Sequence, residues 1–293
     1  MTENDTAPSI LVIGLNRSGT KWLSNLIAEH REVYAVQHAD HFGILESNVF
    51  NDFARMFPNL ESVESQIAFA SMWKESDFVQ ITGVDLVDIL MTHRLRNVFE
   101  AFKLLMSAAT AQNNAKCWLQ KCSPVQFAEV GKQFVESKKI LIERNFNDVL
   151  VSAIENSKLS RGKSSELRLA LNYCLQNQVL GNIRRSHDVF CVSYENLKAD
   201  PRQTFANVME FLGLDPTMRQ ECQFIPNTSF SEEKSRPSLK YSTWIFSKIL
   251  RIAVVTMPAG LAFWLWKRFR RNAPSIVRGT FRVTHEKSAV KNT

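Results

Sequence analysis

The sequence predicts an α/β domain in three layers, with a central parallel sheet covered by helices on both faces. Three observations point there. Short apolar runs of strand length recur at residues 10–14, 33–36, 116–119, 139–142 and 189–192. Helical patterns lie between them. The first run ends in a glycine-bearing turn that opens a helix, and parallel sheets bind anions at such turns.

The elements follow in order. Residues 1–9, MTENDTAPS, are polar and acidic and lack the charged and apolar stretches of a signal peptide. After the first strand and its turn, a helix is expected over 19–30. The strand at 33–36 leads into AVQHADHFGILES, which holds His38, Asp40, His41 and Glu46. Residues 43–113 read as a mostly helical insertion, with a long helix over 89–111. It contains Phe50, Phe53, Met56, Phe57, Phe69, Met72, Trp73 and Phe78. That content suits either an apolar ligand or core packing. Helices over 124–136, 147–157 and 164–184 follow the later strands, and the domain runs over 8–235.

The character changes in residues 241–293, a basic and hydrophobic extension. The segment 244–266 reads WIFSKILRIAVVTMPAGLAFWLW and is followed by KRFRR. Its uncharged part, 252–266, has 15 residues, and a bilayer span needs about 20. Pro258 would kink a helix, and flanking tryptophan and arginine suit a membrane interface. Three readings stand: a membrane-surface or re-entrant helix through 244–271, a helix pair packed on the protein itself, and a true span.

The chain has 293 residues, a net charge of +7 and 45% hydrophobic content, and its pI is about 9.2. Such a charge fits anionic ligands, a membrane surface or a merely basic exterior. The basic residues are dispersed and carry no nucleic-acid motif, so nucleic acid is not an expected partner. Cys117, Cys122, Cys174, Cys191 and Cys222 form no C-x-x-C pair. They read as reduced thiols of a cytoplasmic protein, peripheral at the membrane if the tail touches it, and not as metal ligands.

The stretch from Gly14 to Lys21, GLNRSGTK, nearly matches the phosphate loop G-x-x-x-x-G-K-S/T. After Gly19 the order is inverted to Thr20 and then Lys21, which puts the magnesium-binding hydroxyl out of register. Asp85 is the best acidic partner for a metal, and a weak one. The loop reads as phosphate-binding without being built around a magnesium triphosphate. Arg17 and Lys21 add positive charge, and Ser18 and Thr20 add hydroxyls. A second such place occurs in KKILIERNFNDVLVS. There a strand ends at Arg144, a helix starts near Asn145, and Ser152 lies one turn in.

Together these segments resemble the sulfotransferases that use 3′-phosphoadenosine 5′-phosphosulfate (PAPS). Their first signature, K/R-S-G-T-T/S-W, is here Arg17-Ser18-Gly19-Thr20-Lys21-Trp22. Their second, R-D/N-P-R-D-V-x-x-S, is here Arg144-Asn145-Phe146-Asn147-Asp148-Val149-Leu150-Val151-Ser152. Trp118 to Pro124 is similar to W-x-x-K-x-P with one insertion. The stretch from Tyr194 to Pro201, followed by Phe211-Leu212-Gly213-Leu214, is similar to Y-E-D-L-x-x-D-P and F-L-G-L. The departures are Lys21 for a small hydroxyl residue and Phe146-Asn147 for Pro-Arg.

The resemblance implies the P-loop-like sulfotransferase fold and metal-free, in-line transfer of a sulfuryl group from PAPS to an acceptor hydroxyl or amine. Arg17, Ser18, Gly19, Thr20 and Lys21 would hold the phosphosulfate, with Arg17 and Lys21 stabilising charge on the bridging oxygen. Arg144 and Ser152 would hold the 3′-phosphate. Trp22 would stack on adenine or pack on the sheet, Tyr194 would border the nucleotide, and Asp148 would cap or orient. Lys121 falls near the reacting centre. The expected base is His38, then His41, then Glu46. The acceptor would be lipid or carbohydrate. Two other functions fit the loop: a small-molecule kinase using ATP and magnesium, and a non-catalytic, membrane-associated protein that binds a nucleotide or anion.

Overall fold

A computed structural model describes residues 6–45, 52–85, 87, 89, 93, 95–159, 166–186, 188–220 and 241–271. Glu46, Phe50, Cys222 and the extension after residue 271 lie outside them. Five parallel strands form the main sheet: β1 (Ser9–Gly14), β2 (Val33–Tyr34), β5 (Cys117–Cys122), β6 (Lys138–Glu143) and β7 (Phe190–Ser193). Their order is β2-β5-β1-β6-β7, so β1 is central and is flanked by β5 and β6. A two-stranded antiparallel hairpin, β3 (Gln37–His38) and β4 (Gly43–Ile44), stands apart from the sheet.

Side chains alternate along each strand and divide the core in two. Ile10, Val12, Ile140 and Ile142 face one side, where they meet Leu23 of α1 (Thr20–Ile27) and Val208 and Met209 of α10 (Pro201–Leu212). Leu11, Ile13 and Leu141 face the other side. There they meet α5 (Val98–Gln112), α6 (Pro124–Val130), α7 (Phe146–Leu159) and α8 (Glu166–Ser186). The short helices α2 (Asp52–Met56), α3 (Val63–Lys74) and α4 (Asp77–Thr82) of the insertion join this second core, and α9 (Tyr194–Ala199) follows β7.

One expectation is corrected. The helix read over 89–111 is not continuous: residue 89 is helical, residue 95 is not, and α5 begins afresh at Val98, where the Asn97 side chain accepts hydrogen bonds from the backbone N–H groups of Phe99 and Glu100. Core packing, one of the two readings of the insertion's aromatic content, accounts for the best-buried of these rings. Phe53, Phe69 and Trp73 are fully buried, and the Trp73 and Phe102 rings stack at 6.3 Å.

The apolar tail folds onto the domain. Helices α11 (Tyr241–Val255) and α12 (Ala259–Arg271) break at Pro258 and pack along α8, with Val254, Ala262 and Trp266 buried. Trp266 Nε1 donates to Asn172 Oδ1 at 2.8 Å, and Gln178 Nε2 donates to the Met257 carbonyl at 3.1 Å. No helix among the described residues is long and apolar enough to cross a membrane.

Candidate active site

The register brings the carboxyl ends of the strands to one edge. Cys122 lies beside Ile13, Gly14 beside Ile142, and Glu143 beside Ser193. The loops after β1, β6 and β7 meet at this edge. The turn after β1 closes tightly: the Ser18 N–H donates to the Leu15 carbonyl at 3.0 Å, and the Ser18 hydroxyl donates to the same oxygen at 2.7 Å. Ser18 is thus buried, with its hydroxyl hydrogen committed inside the loop. Arg17 has φ 72° and Gly19 φ 98°, both left-handed. Glycine is required at position 19, since a Cβ there would lie 2.6 Å from the Tyr194 ring. Thr20 begins α1, whose first-turn N–H groups have no acceptor within the helix.

The second loop interlocks with the first. Arg17 Nε donates to Ser152 Oγ at 3.0 Å, and Arg144 Nη1 donates to the Arg17 carbonyl at 3.0 Å. Residues 135 positions apart in sequence thereby share one place. The Arg144 guanidinium also lies over the Tyr194 ring at 4.2 Å, and Tyr194 meets Trp22 edge-on at 5.9 Å. Glu195 holds the base of this loop by accepting from the Asn145 N–H at 3.2 Å and the Ser193 hydroxyl at 2.9 Å. Burial pushes the Glu195 carboxyl up. The hydrogen bonds from Asn145, its own N–H and Ser193, with the Arg144 charge, outweigh that and hold it below the usual range.

A cavity of about 400 Å³ opens beside these loops, lined by Ser18, Arg144, Asn147 and Asn177 among others. Such a volume lies within the roughly 300–1,000 Å³ of small-molecule sites. Arg251 of α11 also lines it, held 5.0 Å above the Phe146 ring. Nothing in the sequence marked Arg251, because its role depends on how the tail folds back.

The histidine loop packs against α1. Lys21 points at it: Nζ donates to the His41 carbonyl at 2.7 Å. Asn25 completes the link. Its Nδ2 donates to the Phe42 carbonyl at 3.0 Å, and its Oδ1 accepts from the Ile44 N–H at 2.9 Å. Gly43 has φ 107°, and a Cβ there would collide with the Asn25 amide at 2.2 Å. His38 caps the short turn of residues 39–41 by accepting from the Asp40 N–H at Nδ1, 3.2 Å away. His41 Nε2 meets Asp77 Oδ2 at 2.8 Å. Lys121 sits buried at the end of β5, beside Val12 of β1. Asp148 lies in the first turn of α7.

The sulfotransferase domain family matches residues 7–253. A sulfotransferase domain from the curacin biosynthetic pathway is 16% identical, over 91% of this chain and 97% of that one, with a TM-score of 0.51. A sulfotransferase domain from the Synechococcus PCC 7002 olefin synthase is 14% identical, over 92% and 97%, with a TM-score of 0.48. A retinol dehydratase solved with androsterone and the inactive cofactor PAP is 14% identical, over 84% and 65%, with a TM-score of 0.34. The search of curated proteins finds no match.

Proposed function

We propose that this chain, which belongs to the sulfotransferase domain family, transfers the sulfuryl group of PAPS to a hydroxyl or amine of its acceptor. One observation carries the reading. The loops after β1 and β6 are joined by Arg17, Ser152 and Arg144 at a common sheet edge, beside a cavity of ligand size. PAPS supplies an activated sulfuryl group, and the chain supplies the means to hold and orient it.

In this reading the α1 amino terminus and Arg17 face the phosphosulfate, and Arg144 and Ser152 take the 3′-phosphate. Gly19 and Thr20 let the backbone approach, and Ser18 shapes the turn. Trp22 and Tyr194 flank the base. Lys21 ties the donor loop to the histidine loop, and Lys121 stands near the reacting centre. His41 is preferred to His38 as base. The Nδ1 lone pair of His38 already accepts from the Asp40 N–H, whereas Nδ1 of His41 has no hydrogen-bond partner among the described residues. The inverted Thr20-Lys21 order supports a donor held without magnesium.

The test is calorimetric titration of 3′,5′-bisphosphate (PAP) in EDTA, with micromolar or tighter binding expected. Binding of ATP that needs magnesium, with turnover, would favour the small-molecule kinase instead. The tail supports a lipid-surface contact near the site. Ile249, Ile252, Leu261 and Trp264 are exposed, and residues 241–271 carry six cationic residues and no carboxylate. Co-sedimentation with vesicles containing phosphatidylserine, lost in the I252E/W264E variant, checks it. Equal sedimentation of both proteins would sink the contact.

A further inference from the structure

His41 is fixed at both ends. Its backbone is bound to α1, because Lys21 holds its carbonyl and Asn25 holds the next carbonyl and the Ile44 N–H. Its ring is held from the opposite direction by α4 of the insertion, through Asp77 Oδ2 at 2.8 Å. The Asp77 side chain is 9% exposed and the His41 side chain 33%. The second Asp77 oxygen is buried and has no hydrogen-bond partner among the described residues. The remaining titratable neighbours named by the structure are His38, whose ring is 6.3 Å away, and Asp40, which stands against His38. Phe42, the next residue, is 78% exposed in a left-handed conformation with φ 53°. A bulky residue rarely adopts that shape unless its surroundings impose it.

We propose that Asp77 is a positioning residue for His41. It accepts the Nε2–H and so leaves Nδ1 as the basic nitrogen toward the acceptor. The inference rests on the sulfotransfer reading. As the acceptor oxygen bonds to sulfur, its proton passes to His41 Nδ1. The electron pair of the breaking sulfur–oxygen bond stays on the phosphate oxygen of the departing bisphosphate. A carboxylate that holds an imidazole in one tautomer and orientation is a general way of keeping a base ready. Here the carboxylate comes from a different element, 36 residues along the chain.

The experiment uses the full chain with ¹⁵N-labelled histidine, assigned with H41Q. In the wild type the His41 Nε2–H should be visible and should exchange with water at least tenfold more slowly than in D77A. PAP should bind D77A within twofold of wild type. In consumption of PAPS with water as the sole acceptor, D77A should lower kcat about tenfold or more at unchanged KM. The H41Q/D77A double variant should lose no more than H41Q alone. Equal exchange in wild type and D77A, or losses that multiply in the double variant, would overturn the proposal. If D77A folds poorly, the wild type still decides, since a His41 protonated on Nδ1 and bare on Nε2 overturns it. A wild type that binds no PAP overturns the sulfotransfer reading instead, and the exchange comparison still reports on the pairing.

Discussion

Replacing Arg144 with alanine removes, besides the charge beside Glu195, three contacts. They are the hydrogen bond to the Arg17 carbonyl, the stacking on Tyr194, and the contact expected with the 3′-phosphate. The first two exist without ligand. They are worth about 0.5–1.5 kcal/mol and about 0.5–1 kcal/mol, and their loss appears mainly as stability. The third is a charge-assisted hydrogen bond worth about 1.5–3 kcal/mol, or about 10- to 150-fold in Kd. The two parts separate if two ligands are titrated calorimetrically into wild type and R144A: PAP, and adenosine 5′-phosphate, which lacks the 3′-phosphate. PAP affinity should fall by that factor, while the weaker adenosine 5′-phosphate binding should change less than about threefold. R144K should fall between, because ammonium keeps the charge and loses the planar fork. An R144A affinity for PAP within twofold of wild type refutes the assignment. Equal losses for both ligands refute the placement of the 3′-phosphate.

Other outcomes follow from the same geometry. G19A should lower the melting temperature by several degrees and weaken PAP binding. The left-handed backbone alone costs about 1–2 kcal/mol, and the added methyl meets Tyr194; an unchanged melting curve would contradict this. Burial pushes the thiols of Cys117, Cys122 and Cys174 up to about 12, which leaves about one in ten thousand ionised at pH 8. Iodoacetamide followed by mass spectrometry should therefore label the exposed Cys191 before these three, and early labelling of Cys122 would be wrong for this core. Glu195 is held below its unfolded value, so its stabilisation is fully present above about pH 4.3 and is lost as pH falls through the folded value. Urea melts of wild type and E195Q should differ by a few tenths of a kcal/mol at pH 7 and converge as pH falls through the folded value; a gap that widens in acid would reverse the sign.

Much of the fold was legible in the sequence. The five strands fall where the apolar runs lie, since buried parallel strands are apolar on both faces. The interlock of Arg17, Ser152 and Arg144 was reachable because Arg17 and Arg144 lie just past strand ends, with Ser152 in the helix that follows the second, and strand ends in such sheets converge. The Asp77 contact with His41 was not reachable. It depends on how α4 packs, and no local periodicity encodes it. The start of α5 did carry a signal, Asn97 with Glu100 three residues on, but continuous apolar spacing outweighed it. The tail was ambiguous for a physical reason. An amphipathic helix presents the same pattern whether lipid or its own protein covers the apolar face, and only the packing against α8 resolves most of that face.

Arg251 gives the tail a second bearing. It belongs to α11 yet lines the cavity beside the loops, so the grip of α11 on α8 and the affinity of the cavity for an anion share one free energy. By reciprocity, an occupant that bonds Arg251 tightens the docking of α11 by the same factor by which a docked α11 tightens the occupant. Loss of the tail would therefore register twice: as an uncovered flank of α8, and as a weaker hold at a cavity otherwise lined by residues 15 to 180.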